Sequence, residues 1–171
     1  MVLQLGMANI YLRGYRGDAI SSTLLFEGFG KKFARNAGGM GWRYLWVIVW
    51  SFVPIMNIVK FYSYRFVPYI MLTEPDILAT EALKKSIAQT NGYKGKMFLA
   101  DLLIGLAVSA LAGFILLLSF LFGLIHPVVG MVFGGLLISV LTAILIALLP
   151  LILGILEAVY YDKISKENPV Q

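Results

Sequence analysis

The sequence has no cysteine, a single histidine and few charged residues, and each shortage excludes a class of protein. Charged residues make up 13% of the 171 residues, about half the share of an ordinary soluble domain. A soluble domain of this length needs polar side chains to cover its core, so a conventional soluble globule is excluded. The absence of cysteine excludes disulfide bonds and cysteine-ligated zinc.

The sequence also lacks the motifs of common catalytic and nucleotide-binding sites. It contains no P-loop, no nucleophile elbow and no HExxH pair. The single histidine, His126, precedes Pro127 and has no second His, no Cys and no acidic neighbour that would complete a metal site. We therefore predict that the protein is not an enzyme and that it uses no cofactor or metal.

Hydrophobic residues, by contrast, are abundant. They make up 60% of the chain, and the mean hydropathy is +0.85, which indicates an integral membrane protein and excludes a disordered chain. The net charge of +5 comes from 14 Lys and Arg against 9 Asp and Glu. The basic residues lie outside the longest apolar runs, so the predicted partners are anionic lipid headgroups and not nucleic acid.

The C-terminal part of the chain predicts two transmembrane helices. Residues 97–161 contain only Asp101, His126 and Glu157 as ionisable groups besides tyrosines, and a span needs about 20 residues. We expect helices at 97–122 and 127–161. The turn between them carries no Lys or Arg, so we place it outside and the tail, residues 162–171, in the cytoplasm.

Residues 42–73 allow two interpretations. Trp42, Trp46 and Trp50 share one helical face, and Pro54 interrupts the apolar run. The segment is either one long span from about residue 41 to 60 or a helical hairpin broken at Pro54. Basic residues lie on both sides of it, and a single span would place one basic group outside, so we favour the hairpin.

Two shorter segments are expected at the cytoplasmic surface. Residues 1–41 predict a cytoplasmic or interfacial region, in which residues 22–33 form a short interfacial helix or a solvated linker. Residues 74–96 predict an amphipathic helix with Thr73 as its N-cap and Asp76 at the capping-box position. Its apolar face can pack on lipid or on the helical bundle, and its alanines favour the bundle. The predicted headgroup contacts are Lys84, Lys85, Lys94 and Lys96.

Arg65, Asp101 and Glu157 are candidates for an intramembrane charge cluster. Charges inside a membrane are costly and usually face a partner or a cavity. The helix rise places Asp101 and Glu157 at similar depths near the inner interface and Arg65 about 12 Å deep on the preceding helix, so Arg65 can meet one or both carboxylates. Two roles remain open: a structural clamp, or a proton or ion relay.

Small residues recur at spacings that allow close helix packing. They would serve either the packing of the last two helices on each other, which we favour, or a homo-oligomer interface. The candidate packing residues are Gly105, Ser109, Gly113, Gly130 and Gly134.

The middle of the sequence resembles a family of bacterial membrane proteins, the domain of unknown function 975 family. The residues that carry the resemblance are Pro54, Lys60, Tyr62-Ser63-Tyr64, Pro68-Tyr69-Ile70, Glu74-Pro75-Asp76-Ile77, Glu81 to Ser86 and Asn91 to Lys94. It is also distantly similar to the membrane domain of some glycerophosphodiester phosphodiesterases. The sequence departs from the family at Ile55, where the family has glycine, and at Arg65, where a small or apolar residue is usual. The resemblance implies a bacterial plasma-membrane protein without an established activity.

We therefore predict an all-α, polytopic membrane protein with one membrane domain over residues 1–171 and both termini in the cytoplasm. We expect a non-enzymatic protein that binds lipid or a membrane protein partner, as a scaffold, accessory subunit or immunity-type factor. The alternative is a small transporter or transporter subunit that uses Arg65, Asp101 and Glu157.

Overall fold

The structure, a computed structural model, describes residues 2–30 and 32–168, and these residues are helical with no strand among them. The all-α prediction is confirmed. The elements of this part of the chain are, in order, α1 Leu3–Arg16, a 3-10 helix Ser22–Phe29, α2 Phe33–Ser51, α3 Pro54–Ser63, α4 Val67–Thr73, α5 Ala79–Gln89, α6 Lys94–Ile125 and α7 Pro127–Glu167.

The described residues fall into two compact units. The first contains the residues up to 97 together with those from 154 onward, and the second contains residues 98–153. The first unit is therefore discontinuous in sequence, because its last helical segment is the C-terminal part of α7.

The core of the first unit is built around α4. The five residues from Val67 to Met71 are all buried, and Phe66 just before them is fully buried as well. From α7, Ala158, Tyr161 and Ile164 enter the same core. A helix of seven residues is not stable in isolation, so packing against its neighbours α1, α2 and α5 holds α4 in place.

The second unit consists of the long apolar parts of α6 and α7. Both helices are long and apolar enough to cross a membrane, and none of the most apolar 18-residue stretch of either helix is buried. Near the turn at His126 the two helices pack closely. There the Ser119 hydroxyl donates to the Gly130 carbonyl at 2.8 Å, and the rings of Phe122 and Phe133 meet edge to face.

The segment 42–73 contains a helical hairpin that is shorter than predicted. As expected, α2 ends just before Pro54 and α3 begins at it. The second helix, however, ends at Ser63 instead of Thr73, and α4 follows after a turn. Pro68 explains the division, because in a continuous helix it would donate no hydrogen bond and its ring would clash with the carbonyl of Tyr64, whereas a proline is well tolerated in the first turn of a new helix.

The predicted start of the amphipathic helix is wrong. Thr73 is the last residue of α4, and its hydroxyl donates to the Tyr69 carbonyl at 3.1 Å. The observed N-cap is Leu78, five residues after the predicted one, and α5 begins at Ala79. There the Glu81 carboxylate accepts a hydrogen bond from the Leu78 amide at 3.3 Å, which is the capping interaction that we had assigned to Asp76.

The N-terminal region is also more structured than expected. In place of one interfacial helix over residues 22–33, a 3-10 helix ends at Phe29 and α2 begins at Phe33. α1 ends at Arg16, and the residue that caps it, Gly17, has a φ of 80° in the left-handed region that glycine favours. The long helices begin or end a few residues beyond their predicted bounds, at Lys94 and Ile125 for α6 and at Glu167 for α7.

Candidate functional site

Two of the three predicted intramembrane charges form an ion pair in the first unit. Arg65 lies in the turn between α3 and α4, and its Nε is 3.5 Å from Oε2 of Glu157 on α7. The side chains are 7% and 23% exposed. The Arg65 guanidinium also lies 5.5 Å from the ring centroid of Tyr62. The third charge, Asp101, lies on α6 in the second unit.

Tyrosines join α4 to α7 in the same part of the unit. The Tyr69 hydroxyl donates to the Gly154 carbonyl at 3.5 Å, one turn before Glu157. The Tyr69 ring stacks on that of Tyr161, with 5.0 Å between centroids. The Tyr161 and Thr73 hydroxyls share a hydrogen bond of 2.9 Å. These contacts fix the last part of α7 against α4, so they favour the structural role for the Arg65–Glu157 pair.

A second ionic cluster, around Asp162, was not predicted. One carboxylate oxygen of this buried residue accepts hydrogen bonds from Arg16 at 2.7 and 3.1 Å. The other accepts from Lys166 at 2.5 Å. The spacing of four between Asp162 and Lys166 could have signalled their pairing on one helix face. The sequence contains no comparable signal for Arg16.

The loop between α4 and α5 is held by basic side chains from α2 and the residue before it. Lys32 donates to the Asp76 carboxylate at 2.6 Å. Arg35 donates to the backbone carbonyls of Glu74 at 2.8 Å and Ile77 at 3.2 Å. The hydrogen bond from Lys32 holds the pKa of Asp76 below its usual value, and the positive charge of Lys32 acts in the same direction.

The predicted headgroup lysines have different surroundings. Lys85 forms an ion pair with Glu74 at 2.7 Å, so its charge is already partly satisfied. Lys84 and Lys96 are exposed, and Lys94 is half-buried at the start of α6. The Lys96 ammonium lies over the ring of Tyr93. Lys84 and Lys96 are therefore the lysines of this set that are best placed to meet an anionic surface.

The apolar face of α5 packs on the protein. Ala82 is fully buried and Leu83 is 8% exposed, and the helix contacts α2 and α4. This burial confirms the expectation that the bundle covers part of the face. Leu78, by contrast, is 62% exposed, and it precedes the first turn of the helix as its N-cap.

A groove with an aromatic wall lies between α2, α3 and α5. It has a volume of about 360 Å³, and Trp42, Trp46 and Trp50 line its α2 side. Lys60 and Lys84 line it from α3 and α5. The tryptophan spacing of four predicted the shared face, whereas the opposing lysines come from separate helices and could not be assigned to it from the sequence.

The predicted packing residues divide into two groups. A Cβ added at Gly130 or Gly134 would lie within 3.0 Å of atoms of Ser119 or Gly123, so these two glycines do allow α6 and α7 to approach. A Cβ at Gly105 or Gly113 would meet nothing within 4 Å. Ser109, between them, is exposed. This second group does not contribute to packing within the described chain.

Among residues 2–30 and 32–168, no cluster of three or more His, Asp or Glu side chains could hold a metal ion. Comparison of the chain with protein-family models, with curated proteins and with solved structures gives no match. The family resemblance noted for residues 54–96 stays a prediction.

Proposed function

We propose that the protein is a non-enzymatic integral membrane protein that binds anionic lipid and acts as a scaffold or accessory factor. The observation that carries this proposal is the pair of long helices whose most apolar stretches are wholly unburied. Soluble monomers rarely expose contiguous apolar patches larger than a few hundred Å². Hydrocarbon, by contrast, is a favourable environment for such a surface.

The helix lengths support two crossings. The 32 residues of α6 extend about 48 Å and the 41 residues of α7 about 61 Å, against a hydrocarbon core of about 30 Å. Each helix can therefore cross the bilayer and continue beyond it. The turn at His126 carries no Lys or Arg, so the positive-inside rule places both termini in the cytoplasm. The family resemblance supports a bacterial plasma membrane.

The α2–α3 hairpin fits a partial insertion better than two further crossings. Its tip is apolar and exposed, with Phe52 at 83% and Ile55 at 79%. The 10 residues of α3 extend only about 15 Å, about half the hydrocarbon thickness. We therefore place the tip in one leaflet, with the first unit at the membrane surface.

Arg65 and Glu157 act in this proposal as a clamp. Both belong to the first unit, and Tyr69 and Tyr161 fix α4, which follows Arg65, against α7, which carries Glu157. A transporter would need these charges to exchange partners during a cycle, whereas the contacts around them favour one arrangement. We therefore prefer the scaffold to the transporter.

Cysteine accessibility tests the topology, because the chain has no cysteine of its own. Single variants D18C, G92C, I125C and N168C would be expressed in bacteria and treated with a membrane-impermeant maleimide on intact cells. We expect labelling of I125C alone, and labelling of all four after permeabilisation. External labelling of G92C or N168C would overturn the topology. Release of the protein from membranes by alkaline carbonate would overturn membrane integration itself.

A further inference from the structure

The tryptophan groove combines an apolar wall with positive charge. Trp42 and Trp46 meet edge to face, with 5.9 Å between ring centroids. The Lys60 ammonium lies 4.9 Å from the ring centroid of Trp50. Lys84 faces the groove from α5 and is exposed. A groove with these two surfaces matches a molecule that has an anionic end and an apolar end.

The positive charge of the groove is not neutralised within the part of the chain that the structure describes. Neither Lys60 nor Lys84 has a carboxylate within ion-pair distance there. No acidic residue lines the groove. Lys85, the next residue on α5, is paired with Glu74 and does not line it. Lys84 and Lys85 thus differ in surroundings although they are adjacent and carry the same charge.

A hydrogen-bond donor in the groove wall also lacks an acceptor. The indole Nε1 of Trp46 is buried and has no partner among the described residues. A buried donor without an acceptor is costly. The wall that the tryptophans form is therefore not purely apolar.

We propose that this groove binds one anionic phospholipid of the surrounding membrane, with its phosphate held by Lys60 and Lys84 and its acyl chain along the tryptophans. The proposal rests on the membrane placement proposed above. That placement brings α2 and α3 to the level of the headgroups, where tryptophan is enriched in membrane proteins. The lysines supply charge complementarity and the indole rings supply apolar contact.

Tryptophan fluorescence reports on this groove specifically, because the three tryptophans of the chain all line it. The full chain would be purified in dodecyl maltoside and titrated with dibrominated phosphatidylglycerol or with dibrominated phosphatidylcholine of the same chain length. Bromine quenches indole fluorescence on contact. We expect saturable quenching by the phosphatidylglycerol at concentrations at least tenfold below those needed for the phosphatidylcholine.

Lysine variants separate a specific site from general attraction. K60Q and K84Q should each weaken the phosphatidylglycerol titration about fivefold, since a lysine near an anionic group contributes on the order of 1 kcal/mol. K85Q is the matched control and should change it less than twofold. Equal quenching by the two lipids, or equal effects of K84Q and K85Q, would overturn the proposal. Competition by inorganic phosphate at equal concentration would also overturn it, because the site would then be one for the free anion.

This experiment can fail independently of the proposed function. If the protein resists carbonate extraction and its tryptophans are quenched equally by both lipids, the membrane placement stands and the groove is not a lipid site. If carbonate releases the protein, both proposals fail.

Discussion

The Nε of Arg65 lies 3.5 Å from Oε2 of Glu157, and this contact joins the turn before α4 to the last third of α7. Arg65 is nearly buried, with 7% of its side chain exposed. Loss of one partner would remove this contact from a charge that is largely buried, which is more costly than replacing both partners by apolar residues. The contact therefore makes a specific prediction for single and double variants.

R65M and E157M should each lower the free energy of unfolding by about 3 kcal/mol. The double variant R65M/E157M should recover at least half of the summed loss. Unfolding in mixed detergent micelles, followed by far-UV circular dichroism, measures both. K163Q serves as the control, because the exposed Lys163–Glu167 pair at 4.0 Å contributes at most about 0.5 kcal/mol. Strictly additive losses in the double variant would contradict the clamp.

Burial of α5 predicts unequal effects at two leucines. L83D should destabilise the whole protein, since it places a carboxylate at a position that is 8% exposed and unpaired buried charge is costly. L78D should have little effect, because Leu78 is 62% exposed and precedes the helix. Thermal unfolding in detergent measures the difference. A melting temperature for L83D equal to that of the wild type would show that packing of α5 on the bundle does not stabilise the protein.

The Lys32–Asp76 contact predicts a low pKa for Asp76 and a pH-dependent contribution to stability. A carboxyl group whose pKa is lower in the folded state stabilises the fold above its unfolded pKa, and this contribution is lost as the pH falls through the folded pKa. The difference in melting temperature between the wild type and D76N should therefore be constant well above about pH 4 and should shrink progressively as the pH falls below that value, toward the folded pKa. The effect should be small because the side chain is 94% exposed.

Titration of the Asp76 carboxyl carbon by NMR measures the pKa directly. It should lie below the ordinary aspartate value in the wild type and return toward that value in K32Q. An unchanged midpoint in K32Q would show that Lys32 does not stabilise the charged form.

Two glycines of the second unit should respond oppositely to alanine. A Cβ at Gly130 would meet backbone atoms of Gly123 and Ser119, and backbone cannot move aside cheaply, so G130A should cost about 1–3 kcal/mol. Gly113 has open space around it, so G113A should stabilise the helix by up to about 1 kcal/mol. If G113A instead destabilises a dimer, measured by light scattering in detergent, the Gly105–Gly113 stripe is an interface between copies.

Local signals in the sequence predicted the helices better than the contacts between them. The two long apolar helices follow from hydropathy alone, and the α3 start follows from Pro54. The predicted start of α5 was wrong because the segment Thr73-Glu74-Pro75-Asp76 fits a capping box and a loop equally well. Contacts from Lys32 and Arg35 hold this segment as a loop, and they come from a part of the chain about 40 residues earlier.

Distance along the chain explains the other unpredicted contact as well. Arg16 and Asp162 are 146 positions apart, and no periodicity or spacing can relate residues so far apart. Depth arguments predicted a cluster of Arg65 with one or both of Asp101 and Glu157, because each was placed by counting the helix rise from a membrane boundary. Such counting gives a height but not a neighbour, and it therefore could not predict the contact between Arg65 and Glu157.

The discontinuous first unit has a consequence for biosynthesis. Ala158, Tyr161 and Ile164 leave the ribosome after α6 and the apolar first part of α7, yet they complete the core that α4 begins. Phe66 and Tyr69 of the N-terminal helices therefore stay uncovered until the last part of α7 has been synthesised. During that interval the nascent chain exposes the kind of apolar surface that chaperones and proteases recognise. A stop codon before residue 154 would leave this core permanently incomplete. We therefore expect cellular quality control to degrade the whole protein even when only this short C-terminal segment is missing.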